Sequence, residues 1–107
     1  MAITNGTELV EAVRHWPGVS LQPHRFGSTE FVVNGKEIGH MHGVSLVDLM
    51  LSKAARDEAL RLGKAAPHHV LPESNWVSVH LRTETDIRCA LELLRLRYDQ
   101  LVSSERT

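Results

Sequence analysis

The dipeptide Asn34-Gly35 constrains the fold of this chain more than any other feature. Both positions tolerate positive φ, which makes this the favoured pair for a two-residue hairpin turn. The strand-like run Glu30–Val33 precedes it and Lys36–His42 follows it, so the sequence predicts two antiparallel neighbours. Hydrophobic periodicity supplies the other elements. Thr7 is expected to cap a short helix whose apolar stripe is Leu9, Ala12, Val13 and Trp16, with Pro17-Gly18 ending it. Val19–His24 alternates as a strand, and Pro23 closes it or puts it at an edge. Leu46–Leu51 is a short apolar run read as a further strand, with Asp48 inside it.

Ser52 is placed to cap a helix over Lys53–Leu62, with Gly63 at its end. Lys64–Pro72 reads as a loop. Trp76–Leu81 alternates again, with Val77, Val79 and Leu81 on one face and Trp76, Ser78 and His80 on the other. Thr83-Glu84-Thr85-Asp86 resembles a capping box with Asp in place of Glu. Behind it, Ile87, Ala90, Leu91, Leu94, Tyr98 and Leu101 line one face of the strongest helix. After Val102 the tail is polar and is expected to fray. The order α-β-β-β-(β)-α-β-α predicts an α+β fold: a two-layer domain, mainly antiparallel sheet, with helices on one face. The whole chain, 1–107, is expected to be a single domain, its other sheet face free for a site or a partner.

Composition narrows the function classes. The chain has 107 residues with 12 Lys and Arg against 13 Asp and Glu, a formal charge of −1, so no basic excess grips phosphates and no nucleic-acid partner is expected. No run approaches the ~18 apolar residues of a membrane span. The first six residues lack a charged and apolar leader pattern, so a cytoplasmic protein is the expectation. The single cysteine, Cys89, excludes an internal disulfide framework. No Walker loop, G-x-G-x-x-G, H-E-x-x-H or G-x-S-x-G occurs.

The unusual count is seven histidines. His40-x-His42 lies on a predicted strand, where residues i and i+2 share a face about 7 Å apart. Ile38 is expected on that face, with Glu37, Gly39 and Met41 on the other. Two such imidazoles suit one metal ion or one small ligand, because imidazole titrates near neutrality, binds metals and shuttles protons. They equally suit a half-exposed sheet face with no chemistry. Pro67-His68-His69 is the second cluster; adjacent loop residues diverge, so one ring is expected to face the site. Trp76 with His80 offers a flat wall beside hydrogen-bonding rings, or simply core packing under a helix. Asp48 and Glu37 are the nearest carboxylates, each placed to orient an imidazole, complete a metal site or stand as a solvated charge. Arg25, beside a turn, suits an anionic group or solvent.

Glu37-Ile38-Gly39-His40-Met41-His42, then His68-His69, then Asn75-Trp76-Val77-Ser78 and a final amphipathic helix resemble the luciferase-like domain shared by fungal luciferases and many small bacterial proteins of unknown function. The fungal enzymes carry a similar E-I-A-H-M-H run, an R-H pair and an E-W-T strand. The resemblance to the bacterial members spans roughly Pro17 to Tyr98. Within it fall Pro23-His24-Arg25-Phe26-Gly27, Glu30-Phe31 and Pro67–Pro72. Glu37, His40, His42, His69 and Trp76 match the shared pattern.

The resemblance implies an oxygenase-like oxidoreductase that needs no metal or flavin, since fungal luciferases oxidise a hydroxylated pyrone with molecular oxygen. Light emission is not part of the expectation, because Gly43–Ser52 departs from the fungal run. The expected function is a His-rich small-molecule pocket, a cofactor-independent oxygenase acting on an enolic or aromatic substrate. His40, His42, His69 and Glu37 would be catalytic, and Trp76, His80, Asp48, Arg25 and His68 would bind the ligand. Two other readings stay open. One is a transition-metal protein, holding zinc or iron through His40 and His42 with His69, His80 or Asp48 as third ligand. The other is a non-catalytic binding module or homodimer with the histidines at an interface.

Overall fold

The computed structural model describes residues 3–23 and 27–104. Its elements are α1 (Gly6–Arg14), β1 (Val19–Pro23), β2 (Thr29–Val33), β3 (Lys36–His42), β4 (Leu46–Met50), α2 (Lys53–Arg61), β5 (Ala66–Pro67), β6 (Trp76–His80) and α3 (Glu84–Ser104). The six strands form one antiparallel sheet in the order β1-β2-β3-β4-β6-β5. The fold is the expected α+β arrangement, with the uncertain fourth strand present. Asn34 and Gly35 adopt φ of 53° and 74°, the positive values that turn between β2 and β3 demands.

Local chemistry explains the element ends. Asn5, not Thr7, caps α1: its side chain accepts from the Glu8 N–H at 2.9 Å, and Glu8 reaches back to the Thr4 N–H at 2.8 Å. Asn is as strong a cap as any residue, and using it starts the helix two residues before the predicted position. Ser52 caps α2 as expected, accepting from Ala55. The capping box of α3 also forms: Thr83 Oγ1 accepts the Asp86 N–H at 3.1 Å, and Asp86 accepts the Thr83 N–H at 3.0 Å. Helix α3 continues to Ser104, past the Val102 where fraying is expected. The predicted loop 64–72 contains the two-residue strand β5, too short to leave a periodic signal.

Helix α3 packs on β2, β3, β4 and β6, and α1 packs on α3 and β1. Leu9, Val13, Phe31, Ile38, Met41, Val47, Leu49, Val77, Ile87 and Leu94 fill the layer between them and are essentially inaccessible to solvent. α2 adds Ala55, Ala59 and Leu60 to the same core. Tyr98 ties the α3 end of this layer to the α1–β1 turn, its hydroxyl donating to the Pro17 carbonyl at 2.6 Å.

One irregularity decides what the other face carries. The β2–β3 register shifts between Phe31, opposite Gly39, and Val32, opposite Glu37, so β3 holds one extra residue there. A one-residue bulge reverses the alternation beyond it. Ile38 therefore turns into the core and is fully buried, against the expectation that it shares a face with His40. Glu37 moves to the face of His40 and His42. Gly39 is required at the bulge: a Cβ there would lie 2.8 Å from the Asp48 carbonyl oxygen and 3.0 Å from Leu94 Cδ2.

Candidate functional site

The face away from the helices carries a transverse row of polar residues. Register places Glu30, His40, Asp48 and Ser78 side by side on β2, β3, β4 and β6. His42 is two residues further along β3, and Trp76 two residues back along β6, so both keep this face. The segment after β5 brings His68 and His69 over the row, and a cavity of about 420 Å³ opens between them. That volume falls within the range of small-molecule sites.

Asp48 is the hub. It is completely buried, which an isolated carboxylate does not tolerate. Its Oδ1 accepts from the Ser78 hydroxyl at 2.5 Å. Its Oδ2 lies 2.8 Å from His42 Nε2, 3.4 Å from His68 Nε2 and 3.5 Å from His40 Nε2. Burial alone would raise this carboxyl's pKa, but hydrogen bonds from His40, Ser78 and His42 outweigh it, and Asp48 is held well below the usual carboxylate range.

Each imidazole is held differently. His40 sits between two carboxylates, Asp48 at Nε2 and Glu37 at Nδ1, the latter 2.7 Å away. Asp48 first and Glu37 second favour the imidazolium against the cost of burial, and its pKa is raised to about 9. The bulge makes this possible, since regular pleating would point Glu37 into the core. His68 shows the opposite state. Its Nδ1 accepts two backbone N–H groups, from Val70 and Leu71, both at 3.1 Å. That nitrogen must keep its lone pair, so the proton of the ring lies on Nε2, toward Asp48. Burial, the largest influence, lowers the His68 pKa, consistent with a neutral ring. His42 gives its Nε2–H to Asp48 and is 39% exposed, leaving Nδ1 on the far side of the ring from the carboxylate.

Aromatic surfaces complete the walls. His40 and Trp76 rings lie 5.5 Å apart, His40 and His42 4.9 Å, and His68 stacks on His69 at 4.4 Å. Exposed Val70 and Leu71 form an apolar rim. The loop bearing them is pinned from outside by Arg56 of α2, which donates to the carbonyls of Ser74 at 2.7 Å and Pro72 at 3.0 Å.

The structure thus gathers Glu37, His40, His42, Asp48, His68, His69 and Trp76 around one cavity. Both loop histidines reach it, not one: His68 lies deep and His69 at the rim. Trp76 lines the cavity and is not packed under a helix. His80 is not brought in. It is exposed, and Leu46 stands between it and His42 in the cross-strand row, a separation of roughly 10 Å at ordinary strand spacing. It lines a separate depression with Lys64, Arg82 and Asp86. Arg25 lies outside the described residues.

Four participants were not singled out by sequence. Ser78 was visible only as a face-mate of Trp76, whereas Arg56 and the amides of Val70 and Leu71 leave no motif at all. Among the described residues no helix is long and apolar enough to cross a membrane.

No curated protein and no solved structure matches this chain. A family model described as Luciferase domain matches residues 35–97, from the turn before β3 through most of α3. Every residue gathered at the cavity lies within that match, which covers more than half of the 107 residues. The chain belongs to the luciferase domain family.

Proposed function

We propose that this pocket binds a planar organic molecule with an acidic enol or phenol and removes its proton, the opening step of a cofactor-independent oxygenation. The observation that carries the reading is the Asp48–His42 pair. A buried carboxylate that fixes the Nε2–H of an imidazole leaves the opposite nitrogen free to take a proton from a bound hydroxyl. Asp48 would also stabilise the imidazolium that results. The His40 imidazolium, anchored by Glu37, supplies fixed positive charge for the anion. Trp76 offers a flat wall, and Val70 with Leu71 an apolar rim, for the rest of the ring system.

The chemistry balances with dioxygen as the sole co-reactant. The enolate or phenolate carbon forms a bond to O2 and gives up two electrons, O2 falls to the peroxide level, and the proton held on His42 returns to the peroxide oxygen. The fungal relatives implied by sequence resemblance favour such an electron-rich substrate.

The test is a titration of tag-free protein with hydroxypyrones and nitrophenols whose absorption reports ionisation. The expected result is a bound ligand showing its anionic spectrum below its solution pKa, lost in His42→Ala and Asp48→Asn. Ligands bound in their neutral form, or ionised equally well by His42→Ala, would contradict the proposal.

A further inference from the structure

We propose that His40 Nε2, His42 Nε2 and Asp48 Oδ2 also form a site for one divalent transition metal, which competes with the protons of the pocket. The donor atoms of these three residues all lie within 4.8 Å of one another. Asp48 Oδ2 is 2.8 Å from His42 Nε2 and 3.5 Å from His40 Nε2. Ligand bonds of about 2.0–2.2 Å place neighbouring donors about 3.0–3.5 Å apart, so the two Asp48–imidazole separations are already close to what an ion requires. Two imidazoles and one carboxylate leave further positions open on the ion, the set used by Fe(II) and catalytic Zn(II) centres.

The outer partners a metal site requires are in place. Glu37 accepts from His40 Nδ1 at 2.7 Å, which fixes the tautomer whose Nε2 lone pair faces the ion. Ser78 holds the non-ligating oxygen of Asp48. The cavity gives an entry path beside His42.

A second triad, Asp48, His68 and His69, meets the same distance limit. It fails chemically. His68 Nδ1 already accepts the Val70 and Leu71 N–H groups, so its Nε2 carries the proton and has no lone pair for a metal. His69 groups with that triad and not with His40 and His42, so of the third ligands the sequence left open, His69, His80 or Asp48, the geometry favours Asp48. Occupancy would take the Nε2 position that ties His42 to Asp48. A bound metal therefore releases protons and silences the proposed base.

The experiment is titration of the tag-free, chelator-treated full chain with Co(II) alone, followed by visible absorption and calorimetry, with each variant's fold checked by circular dichroism. Expected are about one equivalent bound with proton release, and at least ~10-fold weaker binding in His42→Ala, Asp48→Asn and Glu37→Gln. His69→Ala should bind as wild type. No Co(II) bands, or bands that survive His42→Ala and vanish in His69→Ala, would overturn the site. The same titration repeated with an ionising phenol separates this inference from the proposed function. Deprotonation without any metal binding sinks only the metal site. Deprotonation seen only in the metal-loaded protein sinks the cofactor-free reading and the competition, leaving the ligand set standing.

Discussion

Met41, Val47 and Val77 point at the helices; their neighbours His42, Asp48 and Ser78 point at the cavity. The two faces are written in alternate letters of the same strands, yet they are held by different physics. The helix face is a continuous apolar layer whose stability scales with buried area and packing. The cavity face buries a carboxylate that is stable only because Ser78 and three imidazoles converge on it. A change to the first should cost stability and spare proton positions. A change to the second should move proton positions at smaller cost. The bulge at Ile38–Gly39 is where the faces are coupled, because it decides which residue goes to which side.

The largest effect is expected for Leu94→Ala, a fully buried truncation on the helix face. It should cost about 2–5 kcal/mol in denaturant unfolding while the histidine resonances of the cavity stay in place. Histidine shifts in that variant would break the separation of the faces. Gly39→Ala should hurt both sides. Its methyl meets the Asp48 carbonyl oxygen at 2.8 Å, backbone that cannot swing away. A loss of about 1–3 kcal/mol is expected, together with loss of the Glu37–His40 hydrogen bond. Wild-type stability with an intact bond would show that the bulge does not couple the faces.

Acid and base should reach the cavity face alone. The His40 pKa is raised from 6.5 to about 9, so its contribution is full below 6.5 and is lost as pH rises through about 9. Asp48 is depressed from 3.8, so its contribution is present above that value and is lost as pH falls. The stability of the metal-free protein should therefore be greatest between these limits and decline on both sides. Urea midpoints measured across pH would check this, and Asp48→Asn should flatten both limbs. A flat wild-type profile would contradict the charge pattern around Asp48. The smallest effect is expected for Arg56→Ala, which removes the clamp on the Pro72 and Ser74 carbonyls. A global loss of about 1 kcal/mol should accompany faster hydrogen exchange at Val70 and Leu71, with core amides unchanged. Unchanged exchange at those two amides would show that the His68 turn holds itself.

Much of the frame was legible because it rests on local chemistry. Asn34-Gly35 needs positive φ, Ser52 and Thr83 cap the helices that follow, and the stripe of α3 has a helical period. The histidine pair on β3 was legible for the same reason. The role of Glu37 was not, since strict alternation puts it in the core. Gly39 was the available signal, an isolated glycine inside a strand pattern, which often marks a bulge or a close approach. Asp48 within the apolar run Leu46–Leu51 was legible as a carboxylate to orient an imidazole, complete a metal site or stand solvated, but its burial was not, nor were its partners. Those come from β3, β6 and a loop, contacts that only the assembled sheet creates. The state of His68 depends on a turn in which its side chain accepts from its own backbone, and no residue pattern announces that.

The most direct measurement is long-range 1H–15N correlation NMR of the histidine rings in the metal-free protein near neutral pH. Asp48 at the centre of the cluster requires protons on both nitrogens of His40 and on Nε2 of His42 and His68, with His68 Nδ1 bare. That pattern, collapsing for His40 in Asp48→Asn, is the expected result. A neutral His40 in the wild type, or His68 protonated on Nδ1, would contradict the arrangement on which the proposed chemistry depends.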